Sequence, residues 1–207
     1  MFVLGLPSMS TPSPPLASSL DPDAALVLAC RRGEGEAFAA LIARHRDGVY
    51  SFVRHVVGHE ADAQDLAQEA FVRAYAALDR FRVGAPFEPW LYTIAANLCR
   101  SHLRKARWRP WSLDTYRQAE ELPASRSADP AHVAEQRDLS RRLQSAIQAL
   151  PAEQRIILVL RHLRSHSYQE ISEIVGLPVS TVEHRLRAAR KALRHTLEGS
   201  LQPGGTR

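Results

Sequence analysis

The stretch SYQEISEIVGLPVSTVEHRLRAARKAL, residues 167–193, leaves the chain little choice of local structure. Ser167 stands three residues ahead of Glu170, the spacing at which hydroxyl and carboxylate each bond a backbone N–H at a helix start. Ile171, Ile174 and Val175 follow at helical spacing. Gly176 suits the left-handed turn that ends such a helix, and Pro178 stops it from running on. A second helical period then places Val182, Leu186, Ala189 and Leu193 inward. Ser180, His184, Arg187, Ala188 and Lys191 face outward, with Arg185, Arg190 and Glu183 on the flanks. Two short helices across a tight turn, the second dense in arginine, form a helix-turn-helix.

In that motif the start of the second helix enters the major groove. Ser180, Thr181, His184, Arg185, Arg187 and Lys191 are therefore the candidate contacts to duplex DNA. A helical hairpin with no nucleic-acid role is the competing reading. Glu183 is an acid on a surface that phosphates would approach. It lies three residues after Ser180 and four before Arg187. We expect it to close a second capping box and to orient Arg187; direct contact to a cytosine amino group is the alternative.

The remainder is helical as well. Asp21-Pro22 reads as a cap with proline in the first turn, opening a short helix that ends at Gly33 and Gly35. A second segment, about 36–57, turns Phe38, Leu41, Ile42, Val49, Phe52, Val53 and Val56 inward. A third covers 61–81, and a Gly/Pro-bearing loop, 82–89, separates it from a fourth over 90–108. Periodicity is lost over 109–134, where Pro110, Pro123 and Pro130 fall, and this reads as a linker. Helical pattern returns over 135–198. The Pro/Ser-rich lead, 1–20, and the Gly/Pro-rich tail, 199–207, are expected to lack fixed structure, and Met9 fits as a starting residue as well as Met1. The expected fold class is all-α: two small helical domains, 21–108 and 135–198, joined by a flexible linker.

Two helix faces in the first domain carry chemistry. In the third segment Leu66, Ala67, Ala70, Ala74, Leu78 and Phe81 fall on one side, and Asp65, Gln68, Glu69 and Val72 on the other. The second group is either an ordinary solvated face or an acidic docking patch around one aliphatic. In the fourth segment Leu91, Ile94, Ala95, Leu98 and His102 form the inner stripe. Trp90, Thr93, Asn97, Arg100, Arg104, Arg107 and Trp108 lie outside, and residues 100–109 hold five basic side chains and no acid. A basic row tracks a phosphate backbone, and an amide beside aromatic rings can hold an unpaired base. The competing reading is a basic solvated face with Trp90 partly in the core.

A net charge of +5 and a pI near 9.7 suit a polyanionic partner. Cys30 and Cys99 follow no CxxC pattern, and His162 and His166 stand at ligand spacing without a third ligand, so no metal site and no cofactor is expected. Phosphate-binding glycine loops and nucleophile elbows are missing from the sequence, which leaves catalysis no footing. No apolar run approaches the roughly 18 residues that would span a bilayer, so we expect a cytoplasmic protein without membrane insertion. Rival readings are a helical sensor joined to a helix-turn-helix, and an RNA-binding module using the basic fourth helix.

ADAQDLAQEAFVRAYAALDRFR with PFEPWLYTIAANLCRSHLRKAR resembles region two of the extracytoplasmic-function sigma factors, the smallest of the sigma-70 family. LPAEQRIILVLRHLRSHSYQEISEIVGLPVSTVEHRLRAARKAL resembles their region four. The resemblance implies a promoter-specificity subunit of RNA polymerase that answers a stress or envelope signal. It implies that Asp65, Gln68 and Glu69, with Val72 beside them, dock on the beta-prime clamp helices, and that region four meets the beta flap. The 82–89 loop and the fourth helix, with Asn97 at the position that holds a flipped base, would open and read the minus-ten element. The helix-turn-helix would read the minus-thirty-five element as duplex. An anti-sigma factor is implied as a further partner. Glu183 and His184 depart from many relatives, so no promoter sequence carries over.

Overall fold

The computed structural model describes residues 22–106 and 130–201, with side chains over 22–106 and 136–198. The first module holds α1 (Ala24–Arg31), α2 (Gly35–Val57), α3 (Glu60–Ala77), a single 3-10 turn (Leu78–Arg80) and α4 (Phe87–Ala106). The second holds α5 (Pro130–Gln148), α6 (Ala152–His162), α7 (Tyr168–Val175) and α8 (Val179–Leu201). No strand occurs among the described residues, and none of their helices is long and apolar enough to cross a membrane.

Three helix starts differ from the sequence expectation, each for a local reason. The first helix opens at Ala24 behind Asp23, whose side chain makes no cap. That carboxylate is 2% exposed and turns inward to Arg44 and to His45 Nε2, at 2.6 Å from the latter. A carboxylate so buried persists only when paired. The fourth helix starts at Phe87 rather than 90, with Pro89 inside its first turn. Proline is tolerated there because the N–H it lacks would have no intrahelical acceptor. By the same logic α5 starts at Pro130, which the linker reading of 109–134 had treated as a breaker. The lead, the rest of the linker and positions 202–207 of the tail lie outside the described residues.

In the first module Leu41, Phe52, Val53, Ala70, Leu91 and Ala95 are fully buried between α2, α3 and α4. Alanines at 63, 67, 70 and 74 let α3 lie close to its neighbours. The second module buries Ile156, Ile157, Leu160, Ile171, Val182 and Ala189. These two sets belong to one continuous apolar cluster, which also takes in Ile147 and Leu150. The two helical domains expected from the sequence are present, and they pack against each other through this cluster.

Polar contacts specify that packing. The last carbonyls of α2 have no intrahelical donor. Gln148 Nε2 donates to His55 O at 2.8 Å, and the 8%-exposed Arg155 donates to Val56 O at 2.7 Å. Gly58 ends α2 at φ +89, and a Cβ there would sit 2.6 Å from the Gln148 side chain, so glycine serves both the turn and the docking. At the other end of the contact the His166 ring meets Tyr92 with centroids 5.1 Å apart. Arg164 lies over the same tyrosine and pairs with Glu88 at 3.3 Å.

Candidate nucleic-acid and protein interfaces

The α3 face is laid out as its periodicity suggested. Asp65 and Gln68 are exposed, Glu69 is half-buried and pairs with Arg73 at 2.5 Å, and Val72 is 61% exposed. Tyr75 was missed. It is as exposed as Val72, one turn further along, with its ring edge against Phe38 at 4.8 Å. An aromatic three residues after the aliphatic of an otherwise polar face was the signal available.

On α4, Asn97 and Arg104 are exposed, and Asn97 Oδ1 accepts a hydrogen bond from Arg100. Arg100 also reaches the second module: its Nε donates to Glu153 Oε1 at 2.5 Å. Thr93 bonds back to Pro89 O at 3.0 Å. Trp90 is half-buried, its ring 4.9 Å from Phe81 and 5.6 Å from Phe87, and so braces the start of α4. His102 belongs to the half-buried edge and faces Asp62 at 3.6 Å. Arg107 and Trp108 lie outside the described residues. Arg31, which no local pattern singled out, donates to Leu78 O, Asp79 O and Phe81 O. It closes the chain end from which the segment before α4 departs.

The helix-turn-helix has the geometry its sequence demanded. Glu170 N donates to Ser167 Oγ at 3.2 Å, Ser167 N donates to Glu170 Oε2 at 2.7 Å, and Gly176 adopts φ +67. Partial burial pushes the Glu170 carboxyl up, but the bonds from Ser167 outweigh it and hold its pKa below the ordinary value. In α8, Ser180, His184, Arg187 and Lys191 are exposed, and Thr181 is half-buried.

Two expectations fail here. The helix opens at Val179, with Thr181 N and Val182 N both donating to Pro178 O, so Ser180 sits inside the first turn and the Ser180–Glu183 box does not form. Glu183 is exposed, and among the described residues no ion pair joins it to Arg187. Arg185 is half-buried and donates to Glu153 Oε2 at 3.3 Å, and Arg190 donates to His162 Nε2 at 3.2 Å. Burial, then Arg190 and Arg161, lower the His162 pKa, which suits an accepting neutral ring. No group of three or more metal-ligating side chains occurs among the described residues.

Residues 41–109 match the pattern of Sigma-70 region 2, and residues 140–193 match that of Sigma-70, region 4. The chain is similar to the ECF RNA polymerase sigma factor SigW of Bacillus subtilis, at 34% identity over 177 residues, covering 81% of this chain and 92% of that one. It is also similar to the ECF RNA polymerase sigma-E factor of Escherichia coli, at 34% identity over 181 residues, covering 85% and 94%. A solved structure of CnrH in complex with the cytosolic domain of CnrY superposes with a TM-score of 0.65 at 28% identity, over 86% of this chain and 97% of that one. The fold is shared with the sigma factor RpoE of Bartonella quintana, at a TM-score of 0.62, 24% identity and coverage of 78% and 96%.

The chain belongs to the sigma-70 family, in its extracytoplasmic-function group. It is a promoter-specificity subunit, which directs core RNA polymerase to promoters and leaves catalysis to the core enzyme.

Proposed function

We propose that this sigma factor divides its work among three faces. Asp65, Gln68, Glu69 and Val72, joined by Tyr75, dock on the beta-prime clamp helices. The segment 82–86 and the outer face of α4 hold the minus-ten element as a single strand, with Asn97 on a flipped base and Arg100 and Arg104 on phosphates. Trp90 braces that face from within, and Arg107 extends its charge along the sequence. Ser180, Thr181, His184, Arg187 and Lys191 on α8 read the minus-thirty-five element in the major groove, while Arg185 supports the helix from its flank.

The observation that carries this reading is the exposed Asn97 followed by Arg100 and the exposed Arg104 and Lys105, on a helix whose other face is buried. Region four meets the beta flap, and the site of action is the cytoplasm. CnrH is held by the cytosolic domain of another protein. A protein partner of that kind, an anti-sigma factor released by a stress or envelope signal, completes the proposal. The test is transcription in vitro from a set of the host's promoters, using core polymerase with and without this chain. Sigma-dependent initiation is the expected result; no complex with core, or no initiation, overturns the reading.

A further inference from the structure

We infer that Arg31 is a positioning residue for promoter reading: it fixes the shape of the segment 82–86, through which the chain meets the minus-ten strand. This inference rests on the functional reading above, which gives that segment its DNA contact. Arg31 ends α1, a helix that lies ahead of the stretch 41–109 matching Sigma-70 region 2. Its guanidinium crosses to the far end of α3. Nε and one Nη donate to Leu78 O at 3.2 and 2.8 Å, and the same Nη donates to Asp79 O at 2.9 Å and to Phe81 O. Carbonyls gathered where a helix ends carry partial negative charge and lack intrahelical donors. One cation collects them here across separations of 47 to 50 residues. Phe81 is buried, and the chain then runs out through the exposed Arg82, Val83 and Gly84.

That segment is a tight turn, with Ala85 N donating to Arg82 O at 3.0 Å and Gly84 at φ +91. Its exit is held as well as its entry. Phe87 is fully buried, its ring 5.8 Å from Phe81 and 5.5 Å from His45. His45 Nε2 in turn lies 2.6 Å from Asp23, at the start of α1. The short helix α1 therefore reaches both ends of the turn, directly through Arg31 and by way of His45 from Asp23. A turn clamped in this way presents Val83, 39% exposed, and its backbone groups to a strand already ordered. Because Nε and this Nη face backbone carbonyls, Arg31 acts through the turn and not on the DNA.

The test uses holoenzyme, core polymerase with this full chain, and a pool of short single-stranded DNA of randomised sequence. Bound strands are sequenced against a background of core enzyme alone, so base preference and total affinity are read together. Asn97→Ala, run in parallel, marks the strand position read by α4. Hydrogen exchange on the free full chain reads the Ala85 N–H. Arg31→Gln removes the charge and the fork. It should speed Ala85 exchange and lower base preference about tenfold at a position other than that of Asn97, the penalty for ordering roughly one backbone residue on binding. Core binding should stay native. Arg31→Lys keeps the charge on a shorter side chain and should recover part of the preference. Arg32→Gln makes the same charge change one residue on, where the arginine pairs with Glu34 at 2.8 Å, and should match the native chain throughout. A loss uniform over all sequences, with a shallower salt dependence, makes Arg31 a phosphate contact and overturns the positioning role. A lower urea midpoint with unchanged preference reduces it to a brace and overturns the role as well. The exchange measurement needs neither DNA nor core enzyme. A native holoenzyme with no preference beyond core alone therefore counts against the functional reading, and unchanged Ala85 exchange in Arg31→Gln counts against this inference.

Discussion

Arg155 donates to Val56 O at 2.7 Å and to Leu150 O at 3.1 Å, so one buried guanidinium on α6 closes the ends of α2 and α5 together. Helix ends that would otherwise need water are satisfied across the contact between modules. The packing is specific for that reason: any other orientation strands a charged donor in an apolar place.

Arg155→Met should therefore cost more than its loss of contact area, because buried carbonyls of Val56 and Leu150 lose their donor. We expect about 2–4 kcal/mol of lost stability, read as a lower urea midpoint in the full chain. Arg155→Lys, which keeps the charge and loses the fork, should recover only part of it.

Ser167→Ala removes one arm of the capping box and should destabilise the chain by about 1 kcal/mol. The native box also sets an acid limit. The Glu170 pKa is lowered from its ordinary 4.5, so its contribution is present above that value and is lost as pH falls through the depressed one. Acid titration of the variant should show a shallower loss over that window, checked by circular dichroism.

His166 is 5% exposed where the modules meet, facing Tyr92, Arg164, Glu88 and Glu170. Burial lowers its pKa from 6.5, with Arg164 acting in the same sense and the two glutamates opposing. The packed state then binds fewer protons than the open one. Its stability is complete above about pH 6.5 and declines as pH falls below that value. His166→Gln should flatten the dependence between about pH 7.5 and about pH 5.5, measured by urea unfolding at each pH.

The proposed faces can be separated by two substitutions. Asp65→Arg should weaken binding to core polymerase by about tenfold or more, through reversed charge on α3, and leave duplex binding by α8 unchanged. Asn97→Ala should leave core binding intact and lower affinity for minus-ten single strands by about tenfold. Equal losses in both assays for Asn97→Ala would remove it from the DNA face.

Much of this architecture could be read along the chain because its causes are local. The Ser167–Glu170 box, Gly176, and the buried stripe of Leu66, Ala70 and Ala74 each depend on residues within a few turns. The misplaced helix starts at Phe87 and Pro130 share one cause: a proline in a first turn and a proline in a loop look alike until the chain behind it is seen to be helical. Ser180 was misread for a related reason, since the cap position fell to Pro178, which offers only its carbonyl.

The sequence by itself determined the helices, their inner faces and the family, because period, caps and motif order are carried by neighbouring residues. Tertiary structure alone decided which charges meet. Arg100 finds Glu153 at a separation of 53 residues, Arg155 finds Val56 at 99, and Arg164 finds Glu88 at 76. Nothing in the local pattern marks Glu153 off from the other acids of the chain. Its selection follows from α6 being seated against α2 and α4, where burial makes an unmatched charge costly and leaves one carboxylate within reach of arginines from both modules.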